Sequence, residues 1–186
     1  HPTAEAMVES AKRHIEILEE NNFYDIIISL KATDIWMTLK AHEILAKKVD
    51  YPFHIGITEA GSKWSGTIKS SVGMGALLTR GFGDTVRISL TGDPVEEVRV
   101  GLEILKSLNL RQKGPTLISC PTCGRTRINL VELTAAVEKR LKKIDKNITV
   151  AVMGCEVNGP GEAKEADIGI AGAKNKGYIF KKGKLI

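Results

Sequence analysis

"TVRISLTGDPVEEVRVGLEILKSL", residues 85–108, decides the fold class. In its first third, Val86, Ile88 and Leu90 fall on one side of an extended chain and Arg87, Ser89 and Thr91 on the other, because successive side chains of a strand point to opposite faces. Asp93, Pro94 and Glu96 then supply an N-cap, a first-turn proline and an acid placed for a capping box, so a helix is expected over 94–108. A strand feeding a helix across so short a turn is a βα unit. Two more precede it: "YDIIISLKA" (24–32) runs into "DIWMTLKAHEILAKKV" (34–49), and "FHIGITEAG" (53–61) into "TIKSSVGMGALLTRG" (67–81). Strands alternating with helices at this spacing indicate a parallel sheet.

The strand faces narrow the architecture. Ile26, Ile28 and Leu30 oppose Asp25, Ser29 and Lys31, with Ile27 among the latter, and Ile55 and Ile57 oppose His54, Gly56 and Thr58. An open sheet covered on both sides would be apolar on both faces. One oily and one polar face instead suit a (β/α) barrel, whose chemistry sits at the carboxyl ends of its strands. Three units do not close a barrel of eight, and the chain opens without methionine inside an amphipathic helical pattern. The expectation is the last three βα units of a TIM-type barrel over 1–110, with the earlier part absent, followed by a small α+β domain over 111–186.

The polar linker "NLRQKGP" (109–115) marks the boundary. Beyond it "TLISC" reads as a strand entering a C-x-x-C turn, 130–143 as a helix and "ITVAVMG" (148–154) as a strand that delivers Cys155. Two or three further strands are expected around Gly172, Gly177 and Gly183.

Composition excludes several classes. The 186 residues are 42% apolar and 26% charged, and no apolar run approaches the roughly 20 residues of a membrane helix. Three cysteines and no targeting segment argue against a secreted disulfide framework and for a reducing, cytoplasmic setting. The net charge is +5, with much of the excess in "KNKGYIFKKGKLI" at the end. Those lysines are either a solvated guard of a hairpin or an electropositive surface for an anionic substrate or an acidic protein partner. Basic residues without interleaved aromatics do not suit nucleic acid.

Cys120, Cys123 and Cys155 are the candidate metal ligands. No histidine lies beyond position 54, so a four-ligand zinc site lacks a nitrogen donor here, and Glu162, seven residues after Cys155 across the Gly-Pro-Gly turn, is the candidate oxygen donor. Three thiolates with a weak fourth ligand suit a [4Fe–4S] cluster having one reactive iron. Spacing alone leaves a redox dithiol and a zinc site open as well.

"ISCPTCGRT" with "VMGCEVNGPGEAKEADIGIAG" closely resembles the carboxyl-terminal domain of the bacterial 4-hydroxy-3-methylbut-2-enyl diphosphate synthase family, and "SLKATD", "HIGITEAG", "GMGALL" and "GDTVRISLTGDP" resemble segments of its barrel. The resemblance covers essentially the whole chain and departs in extent, since the family has more barrel ahead of this point. It implies a two-electron reductive ring opening and dehydration of 2-C-methyl-D-erythritol 2,4-cyclodiphosphate in the non-mevalonate isoprenoid pathway. It also implies a [4Fe–4S] cluster held by Cys120, Cys123, Cys155 and Glu162, and a homodimer in which one subunit's cluster domain caps another's barrel; the +5 charge fits an acidic flavodoxin or ferredoxin as donor through electrostatic steering. A fragment without half its barrel is expected to be inactive alone. The alternatives are a non-catalytic iron–sulfur electron-transfer module and a zinc-stabilised domain.

The same resemblance assigns substrate binding to Lys31, Arg87 and Ser89 and an acid near the reacting centre to Glu59, which protonates a leaving oxygen if the closed site raises its pKa. Beside these stand plainer readings: a solvated lysine, a buried structural ion pair for Arg87, a loop carboxylate for Glu59. His54 reads as a satisfied strand histidine. "GSKWSGTIKSSVGMG" (61–75) is weakly suggestive of phosphate binding at a helix start. Asn158 and the Gly159-Pro160-Gly161 turn are read as aiming Glu162.

Overall fold

The computed structural model describes residues 2–157, 163–173 and 176–186. The chain divides into two compact units, residues 1–111 and 112–186.

In the first unit, helix α1 (Ala4–Glu20) is capped by the Thr3 hydroxyl, which accepts from the Ala6 N–H. It packs on α2 (Ile35–Leu45), capped in turn by Asp34. Strand β1 (His54–Ile55) pairs in parallel with β2 (Thr85–Val86), His54 opposite Thr85, and α3 (Lys63–Leu78) connects them. The 24–32 segment joins the same sheet through a parallel bridge, Ile28 to Phe53, so three extended segments lie side by side. Helix α4 (Pro94–Ser107) follows β2.

The strands are shorter than the alternating pattern suggests, for identifiable reasons. The Ile26 N–H bonds back to Tyr24 O, which bends the start of the first segment. Glu59 and Gly61 have φ of 51° and 116°, so 53–61 leaves the extended path after Ile57. The Leu90 N–H is taken by the Glu97 carboxylate rather than by a neighbouring strand. Above β1 and β2 the ladder thins to single bonds, such as Arg87 N–H to Ile55 O at 2.9 Å and Thr91 N–H to Gly61 O at 3.0 Å.

Burial follows the expected faces. Ile28, Leu30, Ile55, Ile57 and Ile88 are buried, whereas Ile27 is 60% exposed. Of these, Ile28, Leu30, Ile55 and Ile88 pack with Val8, Ile15, Leu39, Leu45, Phe53, Met74, Leu77 and Ile104 into one apolar core. At about 25 cal/mol per Å² of apolar area removed from water, this layer is the main favourable term in the unit's stability. Inside it, His42 is fully buried with Nδ1 on the Thr38 carbonyl, and burial lowers its pKa below 6.5. The expected capping box at α4 is half made. Asp93 accepts from the Val95 N–H, but Glu96 turns outward to pair with Lys63 and Arg99.

The second unit is a mixed five-stranded sheet in the order β3-β4-β5-β6-β7. Strands β3 (Thr116–Ser119), β4 (Thr149–Met153) and β5 (Ile168–Ala173) are parallel, with α5 (Leu130–Leu141) making the β3-to-β4 crossover. Strands β6 (Lys176–Lys181) and β7 (Lys184–Leu185) add antiparallel. Ala151, Met153, Ala163, Ala166, Ala171 and Phe180 form its small core, and Cys120 packs against it.

Candidate functional site

In the first unit the polar face of the three extended segments gathers basic side chains. Lys31 comes from the first, His54 from β1 and Arg87 from just past β2. Gly56 is what lets them meet. A Cβ there would stand 2.7 Å from the Arg87 carbonyl oxygen, 3.3 Å from Lys31 Cε and 3.5 Å from Lys31 Nζ. The lysine stem therefore crosses the middle segment toward the third, over a position where any side chain would block it.

The electrostatics follow from the crowding. Lys31 has its pKa lowered by partial burial and then by the Arg87 charge. His54, whose Nδ1 shares a 2.8 Å hydrogen bond with the Thr85 hydroxyl, is lowered by burial and then by Lys31 and Arg87. Among the described residues neither Lys31 nor Arg87 has a carboxylate partner. Among the described residues Arg87 is exposed and stands beside Lys31 rather than in a buried ion pair. An oxyanion would relieve the repulsion of like charges held this close and accept their hydrogen bonds. Ser89, half-buried two residues after Arg87, lies along the same segment.

Glu59 sits in the turn after β1, exposed and in the left-handed region at φ 51°. The Thr33 hydroxyl donates to its Oε2 at 2.6 Å, so the loops after two neighbouring segments are tied together at the carboxylate. A non-glycine residue there costs about 1 kcal/mol. Sequence reasoning passed over Thr33 and Gly56, whereas His54, read as a satisfied strand histidine, has its Nδ1 partnered by the Thr85 hydroxyl. The signal for Gly56 was present in the pattern, as the one position without a side chain on the polar face of 53–61.

In the second unit all three cysteines are free, with Cys155 buried, Cys120 half-buried and Cys123 exposed. Cys120 follows β3 and Cys155 lies two residues past β4; these strands are parallel neighbours, Ser119 opposite Val152. Their ends are stitched together. The Gly154 N–H donates to Cys120 Sγ at 3.2 Å, and the Arg127 N–H to Gly154 O at 2.8 Å. The turn closes on itself through Cys123 N–H to Thr126 Oγ1 and Thr126 N–H to Cys123 O, both 3.0 Å. A Cβ on Gly154 would stand 3.1 Å from both Thr126 Cγ2 and Leu130 Cδ2, so glycine keeps the turn seated on the strand end.

The Arg125 backbone N–H, helped by the Arg125 side chain and the Thr126 hydroxyl, holds the Cys123 thiol below its ordinary pKa of 9.0 and favours thiolate. Among the described residues no three of His, Cys, Asp and Glu are gathered closely enough to hold one metal ion. The fold thus brings the Cys120 sulfur to the residue beside Cys155 without closing three thiols into a finished ligand set. Glu162, Asn158 and Gly159 to Gly161 lie outside the described residues. The donor chemistry that is described, three free thiols at the strand ends of one small unit, fits a soft thiophilic metal or cluster.

Among the described residues no helix is long and apolar enough to cross a membrane. Residues 1–102 match the GcpE TIM-barrel domain and residues 116–186 the GcpE protein C-terminal domain. The chain is 64% identical over 186 residues to the 4-hydroxy-3-methylbut-2-en-1-yl diphosphate synthase (flavodoxin) of Geobacter sulfurreducens, covering all of this chain and 53% of that protein. It is 60% identical over 183 residues to the protein of the same name from Clostridium acetobutylicum, covering 98% of this chain and 52% of the relative. For Geobacillus thermodenitrificans the figures are 58% over 186 residues, all of this chain and 50% of the relative. The chain spans about half the length of these curated relatives. Two domain matches in chain order, flanking the boundary at which the structure divides, lead to one conclusion: the chain belongs to the GcpE family.

Proposed function

We propose that this chain is the carboxyl-terminal half of a reductase that opens 2-C-methyl-D-erythritol 2,4-cyclodiphosphate to 4-hydroxy-3-methylbut-2-enyl diphosphate. Two electrons and two protons enter, the ring C–O bond breaks, and one hydroxyl leaves as water. The observation that carries this is the Lys31–Arg87 pair over Gly56, a cationic face with no carboxylate partner among the described residues.

On this reading residues 1–110 are the last three units of a barrel and bind substrate, with Lys31 and Arg87 holding phosphate oxygens and Ser89 adding a hydrogen bond. Glu59, anchored by Thr33, is the acid that delivers a proton to the departing oxygen. Residues 111–186 are the iron–sulfur domain, with Cys120, Cys123 and Cys155 as sulfur ligands and Glu162 as the exchangeable fourth. A bound [4Fe–4S] cluster supplies electrons one at a time and a Lewis-acidic iron. The electron donor is a flavodoxin, as the relatives' names state for those proteins. The enzyme is a cytoplasmic homodimer, which sedimentation of the full-length protein checks.

The direct test supplies the cyclodiphosphate and dithionite to the anaerobically reconstituted full-length protein. Formation of the open-chain diphosphate, lost in K31A and R87A, supports the reading. Turnover indifferent to both substitutions would remove its basis.

A further inference from the structure

The two units carry opposite charge. Residues 112–186 contain 14 Lys and Arg against 7 Asp and Glu, whereas residues 1–111 contain 13 against 15. Part of the excess converges on the β6–β7 hairpin. Lys181, Lys182 and Lys184 surround its turn, all exposed, and the position of a Cβ on Gly183 is 3.1 Å from Cβ of exposed Lys164. None of the four has a carboxylate partner among the described residues.

Two features of this hairpin run against its own stability. Lys181 and Lys184 are direct cross-strand partners, where like charges repel. Lys182 and Gly183 take φ of 46° and 73°, the pattern of a two-residue turn whose first position favours Asn, Asp or Gly. A lysine there forgoes an easy local gain. Beside these charges, Ile179 and Ile186 are 46% and 72% exposed, joined by the Ile186 N–H to Ile179 O bond. By strand alternation they share a face with Lys181 and Lys184. The outcome is a small apolar centre rimmed by ammonium groups, the composition of a protein contact that steers an acidic partner. Lysine on an edge strand also wards off aggregation, but either sign of charge does that.

We propose that the β6–β7 hairpin, with Lys164, is the docking surface for the acidic flavodoxin-type electron carrier. The assignment deepens the reading above and rests on it. The hairpin lies two strands from β4, about 10 Å across the sheet, and β4 leads into Cys155.

The test uses K181E/K182E/K184E in the full-length protein, which keeps the edge charged while reversing its sign. Flavodoxin binding is titrated at low and high salt, and turnover is followed with flavodoxin and, separately, with dithionite. The expected result is flavodoxin binding weakened at least tenfold and stripped of its salt dependence, with dithionite-driven turnover unchanged. Unaltered flavodoxin affinity would overturn the proposal. If the triple glutamate variant does not fold, K181Q/K182Q/K184Q is read the same way, with weakening of at least threefold expected and none refuting. Absence of dithionite-driven turnover in the unsubstituted protein would instead sink the functional reading, and the binding comparison would still decide the docking surface.

Discussion

Replacing Lys31 by methionine separates a functional charge from a structural one, because the two roles predict opposite signs. Methionine keeps the apolar stem that crosses Gly56 and removes the ammonium group that feels Arg87. Without an anion, Lys31 is a partly buried cation beside another cation, so its loss should stabilise the first unit. Solvent screens so open a contact, and the gain is on the order of 0.5 kcal/mol. The pH dependence carries the same sign. The folded-state pKa of Lys31 lies below its ordinary 10.5, so between these values the unfolded chain binds more protons and stability rises with pH. K31M should flatten that rise. Anion binding moves the other way: one charge-assisted hydrogen bond is worth about 1.5–3 kcal/mol, so the dissociation constant for inorganic pyrophosphate should increase roughly 10- to 150-fold. Denaturant melts at pH 8 and pH 10, with pyrophosphate titration by calorimetry at pH 8, measure both. A variant that loses stability yet binds pyrophosphate normally would refute the anion-site reasoning.

Three further outcomes follow from other parts of the molecule. In metal-free protein, iodoacetamide should label exposed Cys123 first and buried Cys155 last by at least about tenfold, with Cys123 reacting below the ordinary thiol pKa; peptide mapping against time checks the order. Glu59→Gly should leave stability within about 1 kcal/mol, since relief of left-handed strain offsets the lost Thr33 bond. Turnover of the full-length protein should nonetheless fall roughly 100-fold or more for want of the positioned acid. In Gly169→Ala the new methyl would stand 2.1 Å from the Phe180 ring, so urea melting should show a loss of about 1–3 kcal/mol.

Much of this molecule was legible in its residues, and the shortfalls have physical causes. Alternation in 24–32, 53–61 and 85–92 named the buried face correctly because burial follows the period of the chain. It overstated strand length because pattern carries no knowledge of Glu59 and Gly61 at positive φ or of Glu97 capturing the Leu90 N–H. Helix α3 begins at Lys63 rather than 67, with Ser62 at its N-cap making no side-chain hydrogen bond to the first turn. The cationic face was half visible: Lys31 and Arg87 stood out by type and place, but only coordinates show that Gly56 lets one lysine span three segments. At the thiols, spacing suggested that a strand-helix-strand path returns Cys155 to the first pair, and the parallel β3–β4 register does bring the Cys120 sulfur to its neighbour Gly154. The hydrogen bonds that close the Cys123 turn on itself were not readable from spacing.

The most direct test of the central idea is an anaerobic determination of iron and acid-labile sulfide per chain, with and without the Cys155→Ser substitution. If three sulfur donors from two strand ends hold one cubane, the reconstituted protein carries about four irons and four sulfides with absorbance near 400 nm, and the variant loses most of both. One bound zinc, or an iron content that the Cys155 substitution leaves untouched, would contradict it.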